Sequence, residues 1–316
     1  MNEILLPLDG SAPAAAALLP VARLARGLGS IITLLQVCSP PGVLRPLVGG
    51  LARPGGSYST WEIAPNQTIG PLAAPARRLA AQGIAVRKIG LSGDPATALF
   101  AYSRQGTHTR IVALAVPGPQ DARDWPLGRI AQHTLLAAPG WSLWTPVGAP
   151  AAPGDYRTIL VPLDGSPLAE LALAQAQELA AAAGATLILV NVLPPGTPAP
   201  AAADHTAYLA TVAAATRAKG ITVETVLPTG DAARILLTLA GATGADLLVM
   251  TTDGHRAQPH LSLGAVVGEI VTSAPVPVLL ARPGAPILPG RVRVPPDAAL
   301  TPVPEPAERQ LVGAGA

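Results

Sequence analysis

Short apolar runs alternate along the chain with longer alanine- and leucine-rich stretches that end at glycine or proline, a rhythm of strand then helix. In the second half, Thr158 to Leu163 predicts a strand closed by Asp164-Gly165, and Ser166-Pro167 opens a helix that stops at Gly184. Thr186 to Val192 is apolar except for Thr186 and Asn191, as in a strand buried on both faces of a parallel sheet. The prolines from 194 to 200 predict a loop, and Tyr208 to Ala218 a second helix. The alternation then continues with a strand Ile221 to Leu227, a helix Asp231 to Thr243 and a strand Asp246 to Thr251. A helix Gly264 to Ser273 and a strand Val276 to Ala281 complete it. The first half follows the same order, with a longer Gly/Pro-rich insertion from Cys38 to Gly70.

The two halves are copies of one another. Pro7-Leu8-Asp9-Gly10-Ser11 recurs as Pro162-Leu163-Asp164-Gly165-Ser166, an offset of 155 residues. Gly93-Asp94-Pro95-Ala96 pairs in order with Gly230-Asp231-Ala232-Ala233, Ile111 to Val116 with Leu247 to Thr252, and Ala138-Pro139 with Ala274-Pro275. Each copy has the size of an ordinary domain of roughly 100–150 residues. The reading is therefore α/β, with two doubly wound domains, each a five-stranded parallel sheet flanked by helices. Their bounds are 1–149 and 155–284, and residues 285–316, with seven prolines, predict a disordered or extended tail.

Composition narrows the class. Hydrophobic residues make up 49% and charged residues 13%, which raises the question of a membrane span. The two long uncharged windows, 179–203 and 135–154, are broken by prolines, so no clean spanning helix is expected. The N-terminus has Glu3 and Asp9 where a signal peptide is basic, and a cytoplasmic protein is expected. The 21 basic and 19 acidic residues are scattered and aromatics are 3%, which disfavours nucleic acid as a partner. The single cysteine, Cys38, excludes an intrachain disulfide and reads as a packing residue. Ser11 and Ser166 read as helix caps, not nucleophiles, and Asp253, His255 and His260 as a solvated loop, not a metal cluster. Trp125, Trp141 and Trp144 are expected to pack between the copies.

Chemistry is expected at the carboxyl ends of the strands. In the second copy two turns converge there: Leu163-Asp164-Gly165-Ser166, and Thr251-Thr252-Asp253-Gly254 followed by nine residues and Gly264-Ala265 at a helix start. Glycines admit an anion to the backbone, and the helix start presents N–H groups to it. A strand ending in P-x-D-G-S, a G-x-x-G-like turn, nine residues, a glycine opening a helix, and A-P-x-P-V after it together resemble the universal stress protein family. The resemblance covers about residues 3–147 and 156–283 and implies five parallel strands per domain and pairing through the last strand. In this chain such pairing would form an intramolecular pseudo-dimer, with a homodimer as a further option. Many members of the family bind ATP, and others do not.

Carried across, the resemblance gives the second copy a site for ATP with magnesium. Asp164, after Pro162, and the backbone near Val192 surround adenine, while Gly254, Gly264, Ala265 and Val266 meet ribose and phosphates. Thr251 stands where the family has its first glycine, and Ala265 where it has a serine or threonine hydroxyl. In the first copy, Ala115-Val116-Pro117-Gly118 and Gly128-Arg129 depart further, so the second copy is favoured. Asp9 and Asp164 have a plainer role open to them, bracing their turns. Three functions follow in order: a non-catalytic adenine-nucleotide-responsive protein, a nucleotide-independent interaction scaffold, and a slow ATPase, which lacks an evident general base.

Overall fold

The computed structural model describes residues 2–38, 62–63, 66–105, 110–116, 130–131, 134, 140–149, 153–252 and 264–290. In the first half these form β1 (Glu3–Pro7), α1 (Ala12–Ala16), α2 (Leu18–Leu28), β2 (Ile31–Cys38), β3 (Glu62–Ile63), α3 (Ala73–Ala80), β4 (Val86–Ser92), α4 (Pro95–Ser103), β5 (Arg110–Val116) and β6 (Trp141–Pro146). The second half contributes β7 (Thr158–Pro162), α5 (Pro167–Ala183), β8 (Thr186–Val190), α6 (Ala199–Arg217), β9 (Val223–Val226), α7 (Ala232–Ala242), β10 (Leu247–Thr251), α8 (Ala265–Ser273) and β11 (Val278–Ala281).

All eleven strands lie in one sheet, in the order β3-β4-β2-β1-β5-β6-β11-β10-β7-β8-β9. Each half supplies five parallel strands in doubly wound order, as the alternation predicts, but the halves do not keep separate sheets. Their last strands pair antiparallel, with Trp144 opposite Val278 and Trp141 opposite Ala281. The first half also carries the two-residue β3, antiparallel to β4, from within the Gly/Pro-rich insertion. Helices cover both faces, and each of the two buried layers draws residues from both halves. One layer holds Ile4, Leu24, Ile159 and Leu189, the other Leu5, Leu99, Leu248 and Ile270.

Local rules explain most boundaries. Ser11 and Ser166 each accept a hydrogen bond from the amide three residues on, at 3.2 and 3.1 Å, and Asp94 and Asp231 cap α4 and α7 in the same way. Gly184 ends α5 in the left-handed conformation, at φ 69°. The loop expected at 194–200 is shorter than its prolines suggest. Pro198 is the N-cap of α6 and Pro200 sits in its first turn, where a missing N–H costs nothing, so this helix begins nine residues before Tyr208.

Trp141 and Trp144 are fully buried on β6 at the join, as expected; Trp125 lies outside the described residues. Trp141 donates from Nε1 to the Pro286 carbonyl at 2.7 Å, and Trp144 to Ser142 Oγ at 2.8 Å. Cys38 is half-buried at the end of β2. The expected tail is packed at its start, with Ala285 and Leu288 6% and 1% exposed, so the boundary at 284 falls too early. Residues 291–316 lie outside the described residues.

A polar lock joins the halves on the α2 side. Arg23, 3% exposed, pairs with Asp246, donates to the Asp155 carbonyl at 2.9 Å and lies 4.2 Å above the Tyr156 ring. Asp246 also accepts from the amides of Arg157 and Thr158, which fixes the start of β7. Burial, more than the fields of the neighbouring charges, pushes the Tyr156 hydroxyl well above its ordinary pKa. Changing Asp246→Leu strands the Arg23 guanidinium without an anion and should cost about 3–5 kcal/mol of stability. Urea unfolding at pH 7 reads this directly, and a loss below about 1 kcal/mol would show that the pair is dispensable.

Candidate functional site

The β7–β10 ladder is short. Only Leu247↔Ile159 and Leu248↔Leu160 pair, whereas β7 stays paired with β8 as far as Pro162 and β10 with β11 as far as Thr251. The two central strands therefore part toward their carboxyl ends, which opens the crevice where ligands sit in doubly wound sheets. In the first half, β1 and β5 part in the same way after Leu5↔Val112.

The β7 side of this crevice is the Pro162-Leu163-Asp164-Gly165 turn. The Leu163 amide bonds the Val190 carbonyl at 2.7 Å, Gly165 takes φ 83°, and Asp164 Oδ1 accepts from the Ser166 amide at 2.9 Å. The bracing role open to Asp164 is thus realised, with its side chain at the exposed surface. Asp9 repeats this geometry with the Ser11 amide at 2.9 Å. Partial burial raises the Asp9 pKa, but the hydrogen bonds from Ser11 outweigh it and hold the carboxyl below its ordinary value.

Val192 follows β8. The amides of Asn191 and Leu193 bond the carbonyls of Val226 and Pro228 at 3.1 and 2.8 Å, so these residues face β9. Backbone groups alternate along an extended chain, which turns those of Val192 toward β7 and the Asp164 turn. On the β10 side, Thr251 and Thr252 are buried, and the Thr252 amide bonds the Ala281 carbonyl at 2.8 Å. Gly264 is the N-cap of α8, and among the described residues no side chain caps that helix. Gly264 and Ala265 are exposed, and Val266 and Val192 are half-buried against the same layer. The α8 start offers backbone N–H groups and the positive end of a helix dipole.

Gly264 has φ −54° and ψ 143°, which any residue can adopt, and a Cβ built there meets no atom within 4 Å. Backbone conformation does not require glycine at this position, and neither do its described neighbours. Gly254, with Asp253, His255 and His260, lies outside the described residues, as do Pro117, Gly118, Gly128 and Arg129 of the first copy. Among the described residues no group of three or more His, Cys, Asp or Glu is placed to hold a metal ion. Two shallow grooves of about 320 and 380 Å³ lie on the first half, around α3, away from this crevice.

Two residues beside the crevice escape the motif. Tyr208 on α6 has a buried hydroxyl without a hydrogen-bond partner among the described residues. Its burial, then the negative fields of Glu170 and Asp164, push its pKa up to about 12. Asn191, 1% exposed, leaves its Nδ2 without a partner among the described residues, and Gln36, the equivalent residue of the first copy, leaves its Oε1 so. For Asn191 and Gln36 the one visible signal was a polar residue in an otherwise apolar run, and for Tyr208 there was none.

Residues 155–282 match the model of the Universal stress protein family. No curated protein matches the chain. Among solved structures it is similar to a universal stress protein from Archaeoglobus fulgidus DSM 4304, with 19% identity over 90% of this chain and 99% of that one and a TM-score of 0.64. It is also similar to a universal stress protein from Pseudomonas aeruginosa UCBPP-PA14, with 17% identity over 89% of this chain and 93% of that one and a TM-score of 0.61. At such identities the likeness is one of fold, and it extends over both halves. No helix among the described residues is long and apolar enough to cross a membrane.

Proposed function

We propose that this chain, which belongs to the universal stress protein family through residues 155–282, is a non-catalytic stress-response protein whose second half binds ATP in the β7–β10 crevice. The observation behind the reading is the parting of β7 and β10, together with a helix that starts at Gly264 with no side-chain cap among the described residues. Asp164 and the backbone of Val192 would read the adenine against Pro162, and the amides of Ala265 and Val266 would meet phosphate. Gly254 and Gly264 would let the phosphates approach the main chain, while Thr251 gives less room than a glycine. Magnesium would arrive on the phosphate oxygens, its usual partners in nucleotide sites.

The first half would serve mainly as a packing partner, the two halves forming an intramolecular pseudo-dimer through β6 and β11. That pairing occupies the edge through which the family joins two chains, so a homodimer would need another face. The second reading, a nucleotide-independent scaffold, is favoured by Ala265, which brings no hydroxyl, and by the engagement of Asp164 Oδ1 with the Ser166 amide. Calorimetric titration of the full chain with ATP at fixed magnesium separates them. Saturation at one nucleotide per chain is expected, and no heat up to millimolar ATP would favour the scaffold.

Changing Ala265→Ser should then tighten ATP by about 1.5–3 kcal/mol, if one hydrogen bond to a charged phosphate is gained in full. That is roughly ten- to a hundredfold in Kd. AMP should gain little, because the new donor faces the distal phosphates. An equal gain for both nucleotides would move the phosphates elsewhere.

A further inference from the structure

Residues 283–290 follow the matched domain yet are anchored at Ala285, Pro286, Leu288 and Gly290. Gln175 of α5, fully buried, donates from Nε2 to the Leu288 carbonyl at 3.2 Å and accepts the Leu288 amide at 2.7 Å. One side-chain amide thus binds both backbone groups of one residue, as a neighbouring strand would. The Gly290 amide donates to Glu178 Oε2 at 2.9 Å, and a Cβ on Gly290 would stand 2.9 Å from the Glu178 carbonyl oxygen. The segment therefore lies directly on the α5 backbone.

The other anchor belongs to the first half. The Arg282 amide bonds the Gly140 carbonyl at 3.0 Å, and the Trp141 indole donates to the Pro286 carbonyl at 2.7 Å. Ala285 and Leu288 enter the layer that contains residues of both halves, while Ile287 between them points out, at 46% exposure.

The first half repeats the device. There the linker after β6 folds back on α2: Tyr156 donates to the Pro20 carbonyl at 3.0 Å, and Arg23 and Arg26 donate to the carbonyls of Asp155 and Gly154. The repeat offset places Gln175 and Glu178 at the positions of Pro20 and Arg23. In both copies the chain leaving the last strand is thus received by that copy's first long helix, through different side chains. Recurrence with different chemistry marks a built contact and not incidental packing of a chain end.

We propose that residues 283–290 form a clasp, an extended segment bound by α5 of the second half and β6 of the first, which holds the join between the halves closed. Hydrogen exchange on the full-length chain tests it. In the wild type the amides of Leu288 and Gly290 should be protected and that of Ile287 should exchange quickly. Changing Leu288→Ala should lower Tm by roughly 5–10 °C. It should also speed exchange at Leu143 and Leu279 on the join by tenfold or more, while Leu189 on the distant β8 changes far less. Changing Ile287→Ala should alter neither. Equal effects from the two variants, or an unchanged join in Leu288→Ala, would overturn the proposal. Changing Gln175→Ala supplies a second route: it leaves Leu288 in place, and loss of protection at Leu288 with faster exchange at Leu143 is expected.

Discussion

Expressed separately, residues 1–152 and 153–316 should each fail to give a stable monomer, and mixing them should restore a one-to-one complex. The two halves share both buried layers, and the join is a four-residue antiparallel ladder in mid-sheet, not two domains in light contact. Cutting it exposes Trp141, Leu143 and Trp144 on one piece and Val278, Leu279 and Leu280 on the other, all at most 1% exposed in the intact chain. Each large apolar side chain returned to water costs about 1.5–3 kcal/mol. Three per half approach the whole net stability of a domain, about 5–15 kcal/mol. The first half would also lose Asp246 as the partner of Arg23, and each half would present an apolar sheet edge prone to self-pairing. Light scattering and circular dichroism on the separate halves decide the matter. Two folded monomers that ignore one another would show that the continuous sheet contributes little.

Much of this fold was legible because the signals were local. Five strands per half follow from short apolar runs, the helix starts from Ser11, Asp94, Ser166 and Asp231, and the α5 end from Gly184. The pairing of the last strands was implied by the family resemblance, and Trp141 and Trp144 agreed with it. What misled was proline. Pro198 and Pro200 read as loop residues because a pattern search treats proline as a breaker, whereas the first turn of a helix accepts it. Pro286 and Pro289 read as part of a disordered tail, although an extended segment can pack tightly when a buried amide such as Gln175 satisfies its backbone. The Arg23–Asp246 lock could not be read at all, since the two residues stand far apart in sequence and the equivalent positions of the other copy carry Glu178 and Arg110.

The candidate site was legible to a different degree. The motif located the turn at Asp164 and the helix start at Gly264, because turns and caps have fixed residue requirements. It did not find Tyr208 or Asn191, whose position beside the crevice depends on how α6 and β8 pack. Spacing along the chain says nothing about a hydroxyl that reaches in from another helix.

Changing Gly264→Val should abolish ATP binding while leaving the second half folded. The backbone there, φ −54° and ψ 143°, is an extended conformation that a β-branched residue accepts, and a Cβ meets no atom of the described residues within 4 Å. The folding cost is therefore limited to a poorer N-cap, up to about 1 kcal/mol on replacing a good cap with an apolar residue. The binding cost is of another order. A phosphate held by the amides of Ala265 and Val266 must come within hydrogen-bonding distance of the α8 start, and the valine methyl groups would occupy that approach. Losing even two hydrogen bonds to a charged group forfeits about 3–6 kcal/mol, a hundredfold or more in Kd. The contrast between the two costs makes the variant diagnostic: Tm within a few degrees of the parent, with no calorimetric signal for ATP. If Tm is kept and the affinity is also unchanged, the nucleotide does not meet α8, and Gly264 is only a cap. If the parent chain shows no ATP signal, the mutant has nothing to lose, and the scaffold reading takes precedence.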